Sequence, residues 1–212
     1  MASGTKNNDK KDRILDAAVR VFARNGFFNS KVSEIAKEAN VADGTIYLYF
    51  KSKDDILISL FEEKMSQIIL QMTENLRGVS DPREKLRICI RTHLEIMKEN
   101  HDLAVVITVE LRQSAKFMKE YDNRPFSRYL KILSDILQEG KQSRVFRADL
   151  TPGMLARALF GMLDELSLWL VMGAAKNKVD WNKAHKELTE FFLRAVSPGE
   201  PTQQENSVPD SR

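Results

Sequence analysis

Cysteine is almost missing from this chain. The single thiol, Cys89, excludes an intrachain disulfide and with it the covalent scaffolding of small secreted domains. Its neighbours Leu86, Ile90 and Leu94 suggest a buried thiol, and such usage fits a reducing cytoplasm. Long apolar runs are missing too. The most apolar stretch, Met154 to Met172, is broken by Arg157, Asp164 and Glu165. It falls short of the ~18 uninterrupted apolar residues of a membrane span, so no membrane partner is expected. Residues 1–13 are polar and carry no secretory pattern. The histidines, His93, His101 and His185, stand far apart with no carboxylate at metal-ligand spacing. Neither a glycine-rich phosphate loop nor a nucleophile elbow occurs. These absences argue against an enzyme, a metal centre or a bound cofactor. Strand-like alternation and internal repeats are also absent.

What is present suits a helical, globular protein. Apolar residues make up 42% of the chain, too many for a disordered polymer, and charged residues make up 30%. The charge is uneven. Residues 1–53 hold ten Lys or Arg against six Asp or Glu, an excess of four over a chain whose net charge is +3. A basic N-terminal end suits a phosphate backbone, and a solubilising tail would look the same.

Periodicity predicts about nine helices and an all-α fold. Residues 1–10 read as a flexible basic arm. Ile14, Leu15, Ala18, Val21 and Phe22 then mark a helix over about 11–25, stopped at Asn25-Gly26. Ser30 can cap a second helix ending near Ala39, and Asn40 suits a left-handed turn residue. A third helix is expected from about Asp43 to Phe50. Ser52-Lys53-Asp54-Asp55 opens a long fourth helix with the stripe Leu57, Leu60, Phe61, Met65, Ile68, Ile69, Met72 and Leu76. Asp81-Pro82 opens a fifth. Further helices are expected over 103–112, Phe117 to about Gly140, Thr151-Pro152 to about Ala175, and about 181–196. Residues 197–212 are polar, Pro-rich and expected to be disordered. These elements divide into a small N-terminal unit over 11–54 and a larger C-terminal unit over 55–196.

The stretch from Ser30 to Lys53 carries the chemistry. Its apolar positions, Val32, Ile35, Ala36, Ala39, Val41, Ile46 and Phe50, brace two short helices on each other and on the first. The second of them then presents Gly44, Thr45, Tyr47 and Tyr49. A small residue near a helix N-terminus lets phosphate approach its free N–H groups. Hydroxyls bind phosphate, and the Thr45 methyl can meet a thymine methyl. Lys51 and Lys53 come next as backbone clamps. One of the tyrosines can instead be packing beneath the body.

On ILDAAVRVFARNGF and VSEIAKEANVADGTIYLYFKSKDDIL the chain resembles the TetR family of bacterial repressors. Asn40 replaces a glycine common in the turn, and Ala42 a common Ser or Thr cap. The resemblance implies a homodimer, a palindromic double-stranded operator and an effector in the body that lowers DNA affinity. It places Lys31, Ser33, Gly44, Thr45, Tyr47, Tyr49 and Lys53 on DNA-contacting positions.

A longer, looser likeness rests on ADGTIYLYFKSKDDILISLFEEKM, VELRQS and a DEL-containing apolar helix. It is to the acyl-CoA-responsive fatty-acid-degradation regulators of that family, and it implies a tunnel for a long acyl chain. Ile90, His93, Leu94, Met97, Val106, Val109, Arg112, Gln113, Phe126, Tyr129, Leu130, Leu133, Phe160 and Trp169 are the candidate lining residues. Any apolar one of them can equally be plain core. Arg112, Arg128 and Lys131 can meet the phosphates of coenzyme A. The last two helices are the expected dimer interface, because 154–172 is apolar on more than one face. Asp164-Glu165 should face a partner or a pocket. A TetR-type regulator of another hydrophobic ligand, such as a drug or signal in efflux control, would read similarly. An all-helical lipid carrier would explain the tunnel but not residues 30–53.

Overall fold

A computed structural model describes residues 3–111, 114, 116–117, 124–173 and 180–199. Among these residues the chain is all-helical. The helices are α1 (Ser3–Asn25), α2 (Val32–Glu38), α3 (Asp43–Ile46), α4 (Lys53–Asn75) and α5 (Pro82–Glu99). Helix α6 (His101–Val105) runs directly into a π turn, Val106–Glu110. Helices α7 (Arg124–Gln142), α8 (Pro152–Gly173) and α9 (Trp181–Val196) follow among the described residues.

The apolar stripes do what their spacing predicts. Ile14, Leu15, Ala18, Val21 and Phe22 of α1 are almost wholly buried, as are Leu57, Leu60, Phe61, Met65 and Met72 of α4. Full burial of one such large apolar side chain is worth about 1.5–3 kcal/mol. One continuous core runs from α1 into the C-terminal helices. Helix α1 packs on α2, α4 and α6, so the N-terminal unit rests on both α4 and α6. Helix α5 is central and touches α4, α7, α8 and α9, while α7 lies along α8.

Several boundaries differ from expectation, each for a local reason. Helix α1 starts at Ser3 rather than near residue 11, through the stretch read as an arm. No proline interrupts residues 3–13, so nothing stops the helix from propagating backwards. Ser30 does not cap α2. Its hydroxyl donates to Gly26 O (2.7 Å) and Val21 O (3.3 Å), leaving Lys31 at the cap position. Glu34 reaches back to accept from Lys31 N (2.8 Å). Helix α3 stops at Ile46, not Phe50; Leu48 N and Tyr49 N bond three residues back in tight turns. Ala42 caps α3 without a side-chain bond, so the bond that a Ser or Thr would supply there is lost.

Other local readings hold. Gly26 and Asn40 take the left-handed conformation at φ 76° and 54°. Ser52 accepts from Asp55 N (3.1 Å), and Asp81 from Arg83 N (2.9 Å). Cys89 is buried, and burial pushes its thiol up to about 12. The expected disordered tail lies, from residue 200 onward, outside the described residues.

Candidate functional site

The N-terminal unit offers an exposed face made from the start of α2 and from α3 with its following turn. Lys31, Ser33, Gly44, Tyr47 and Lys51 are exposed. Tyr47 is 61% exposed although it is large and aromatic. A side chain built on Gly44 would meet no atom within 4 Å. The fold itself therefore does not demand glycine there, whereas close approach by an outside group would. Thr45 is half-buried. Tyr49 is also half-buried, tilted on Phe50 with ring centres 6.3 Å apart and packed against the core. It is the tyrosine that braces. Leu48, 81% exposed between the two tyrosines, is not among the expected contacts. A third helix running on to Phe50, as expected from the sequence, hides the turn that exposes it.

Lys53 stands elsewhere than expected. Its Nζ donates to Phe27 O (2.6 Å), Ser30 O (2.9 Å) and Phe28 O (3.0 Å). It also lies 4.7 Å from the centre of the Phe27 ring. The ammonium is committed to the α1–α2 turn and is not a free phosphate clamp. Other basic groups are also spent internally. Arg13 donates to Ala39 O (2.8 Å), closing the end of α2. Arg20 and Arg24 flank Glu38 at 2.7 and 3.6 Å, and the Arg20 hydrogen bond leads in holding that carboxyl below its usual range.

The C-terminal helices enclose a small cavity of about 20 Å³. Its wall comprises Phe61, Met65 and Ile68 of α4, His93 and Met97 of α5, Ile107 of the π turn, Phe126 and Tyr129 of α7, and Phe160 and Asp164 of α8. Phe160 stands edge-on to Phe126 (4.7 Å) and Tyr129 (5.6 Å). His93 Nδ1 and the Tyr129 hydroxyl are 2.9 Å apart, both side chains buried. Burial drives the His93 imidazole down to about 4, so it is neutral at neutral pH, and holds the Tyr129 phenol well above its ordinary value. Asp164 on the wall fits the expectation that the acid pair meets a pocket.

Five expected lining residues, His93, Met97, Phe126, Tyr129 and Phe160, thus converge on one cavity. Ile90, Leu94, Val106 and Leu133 are buried in the core without lining it, and Val109 and Leu130 are half-buried outside it. Trp169 is a correction. It is 52% exposed, in a shallow apolar surface groove with Ala158, Gly161, Met162, Glu165 and Leu166 of α8 and Leu188 of α9. Helix α8 has two apolar faces, and periodicity alone does not say which turns inward. Arg112 and Gln113 lie outside the described residues. Lys131 is exposed and paired with Asp135 at 2.6 Å, and Arg128 is exposed. Among the described residues no group of metal ligands occurs, and no helix is long and apolar enough to cross a membrane.

Comparison with known proteins agrees with this geometry. Residues 14–60 match the family described as bacterial regulatory proteins, tetR family. Residues 61–195 match the YsiA-like protein C-terminal region. The fatty acid metabolism regulator protein of Bacillus subtilis is 46% identical over 164 residues, covering 77% of this chain and 84% of that protein. A crystal structure of the transcriptional regulator FadR from Bacillus subtilis, in complex with stearoyl-CoA, superposes with a TM-score of 0.80 at 42% identity. It covers 87% of this chain and 98% of that one. The fatty acid degradation regulator FadR from Bacillus halodurans gives 0.79 at 38% identity, over 87% and 94%. These relatives are transcriptional regulators and not enzymes. The chain belongs to the tetR family of bacterial regulatory proteins.

Proposed function

We propose that this protein is a repressor of fatty acid metabolism genes, released from DNA by a long-chain acyl-CoA in the bacterial cytoplasm. Residues 11–54 form the reading head, and residues 55–196 bind the effector and pair two copies. Each head places α3 in a major groove, the two grooves about 34–36 Å apart along a palindromic operator. Lys31, Ser33, Gly44, Thr45, Tyr47 and Lys51 contact the duplex, and Leu48 joins them. The exposed apolar groove between α8 and α9 supports pairing through those helices.

One observation carries the switch. Helix α4 both walls the cavity, with Phe61, Met65 and Ile68, and begins at Lys53, which clasps the α1–α2 turn. A ligand of drug size needs roughly 300 Å³ or more, far beyond about 20 Å³. An acyl chain entering this cavity therefore displaces wall helices, α4 among them. Its movement re-aims the heads and spoils their common fit to the operator. Linkage requires DNA to weaken acyl-CoA binding by the same factor. Support for this effector comes from the relative that carries stearoyl-CoA.

The test is direct. DNA selected by the full-length protein from random duplexes is titrated with protein, with and without stearoyl-CoA. Loss of about tenfold or more in affinity is expected. Unchanged affinity at saturating stearoyl-CoA would reject this effector, and a palmitoyl-CoA arm would define chain length.

A further inference from the structure

Glu110 ties the C-terminal helices to the head by a contact that lies outside α4. It closes the π turn and is only 7% exposed. Phe27 N donates to its Oε2 at 2.6 Å, across 83 residues of sequence. Gly26 suits the turn by its positive φ of 76°, and the carboxylate packs beside it: a Cβ there would stand in ordinary contact, 3.6 Å from Oε2 and 3.9 Å from Oε1. The α1–α2 turn is thus held from two sides. The Glu110 carboxylate takes its amide, and Lys53 takes its carbonyls. A second tie runs parallel, since the buried Ser114 hydroxyl donates to Asp54 Oδ1 at 2.6 Å.

The element carrying Glu110 is suited to change. A π turn holds one residue more per hydrogen-bonded ring than an α-helix and is common at functional sites. Here Leu111 N reaches Val106 O in the wide register. The Thr108 hydroxyl bonds back to Ala104 O at 2.7 Å, an arrangement that bends helices. Ile107, within the same turn, is a wall residue of the cavity. Relaxing the wide turn by one residue rotates the downstream backbone by roughly 100° about the helix axis. That would carry Glu110 off Phe27.

We infer that Glu110 is a positioning residue through which the cavity governs the head. With the cavity closed, Glu110 holds the Phe27 amide and keeps α2 and α3 aimed at DNA. A chain filling the cavity pushes Ile107, re-registers the π turn and frees the α1–α2 turn. This rests on the acyl-CoA reading above.

The experiment uses full-length wild type, E110A and E110Q, the selected operator and stearoyl-CoA. In wild type the Phe27 amide exchanges with deuterium at least about tenfold faster once stearoyl-CoA is bound. E110A binds stearoyl-CoA more tightly than wild type, but its apo operator affinity falls about tenfold and its response to ligand shrinks. E110Q keeps an acceptor oxygen and restores most of both. A Phe27 amide indifferent to stearoyl-CoA overturns the role even if E110A fails to fold, as does an E110A variant that responds fully. A wild-type protein whose operator affinity ignores stearoyl-CoA overturns the effector reading and this role together. A responding wild type beside an equally responding E110A overturns this role alone.

Discussion

Lys53 sits over the ring of Phe27 and donates to the carbonyl of that same residue, 26 positions earlier in the chain. The start of α4 is thereby fastened to the turn that leads into the DNA-reading helices. Charge-assisted hydrogen bonds are worth about 1.5–3 kcal/mol each when a partner is orphaned. Lys53→Met should therefore cost about 2 kcal/mol of stability in urea unfolding, besides weakening operator binding. Lys51→Met should leave stability alone and reduce the salt dependence of binding by about one phosphate contact. Equal stability in the two variants would reject this division of labour.

Gly44 and Tyr47 separate folding from reading. Gly44 has open space around it and helical neighbours, so Gly44→Ala should stabilise the fold by about 0.5–1 kcal/mol. The same methyl group should weaken operator binding if, as proposed, the duplex backbone approaches Gly44. Tyr47→Ala should cost roughly 1–3 kcal/mol of operator affinity with no change in melting temperature. Melting curves beside anisotropy titrations would expose any variant in which the two quantities move together.

His93 sets an acid limit on stability. Its folded value of about 4 lies below the ordinary value of 6.5, because the buried ring resists charging. Protonation then favours the unfolded chain. The stability present above about pH 6.5 is lost progressively as pH falls towards 4, by about 3 kcal/mol. His185, also lowered by burial, contributes in the same direction. His93→Gln keeps a polar partner for Tyr129 and cannot titrate. Chemical denaturation of that variant between pH 4 and 7 should show a shallower slope; the wild-type slope persisting would remove His93 as its source.

Trp169, Met172 and Phe191 expose more than half of their surface on α8 and α9. Trp169→Glu should convert dimer to monomer in sedimentation at micromolar concentration, since a buried unpaired carboxylate at an interface is costly. An unaltered dimer would place the interface away from this groove.

Local chemistry makes several helix starts and turns legible in the sequence. The caps at Ser52 and Asp81 and the left-handed Asn40 each depend on a few neighbouring residues. Lys53 escapes such reasoning because its partners are 23–26 residues away, where no local rule reaches. The cavity is half visible. Helical spacing tells which side of α4 is buried, but not that Phe61, Met65 and Ile68 border a gap rather than solid core. Gly140 shows the same limit. A Cβ there would run into the buried Phe146 ring, yet the sequence shows only a glycine inside a helix. Helical periodicity does not register a turn that folds a ring six residues on back over the helix.

The tightness of the chamber between α4 and α8 has a kinetic meaning. With about 20 Å³ to offer, this chamber among the described residues is no berth that an effector can simply occupy. Capture must wait for a thermal excursion that parts the walls, so the observed association rate should level off as effector concentration rises. Tighter walls would make a more discriminating but slower sensor, and the speed of gene induction would then be written into the stiffness of one aromatic-lined hollow.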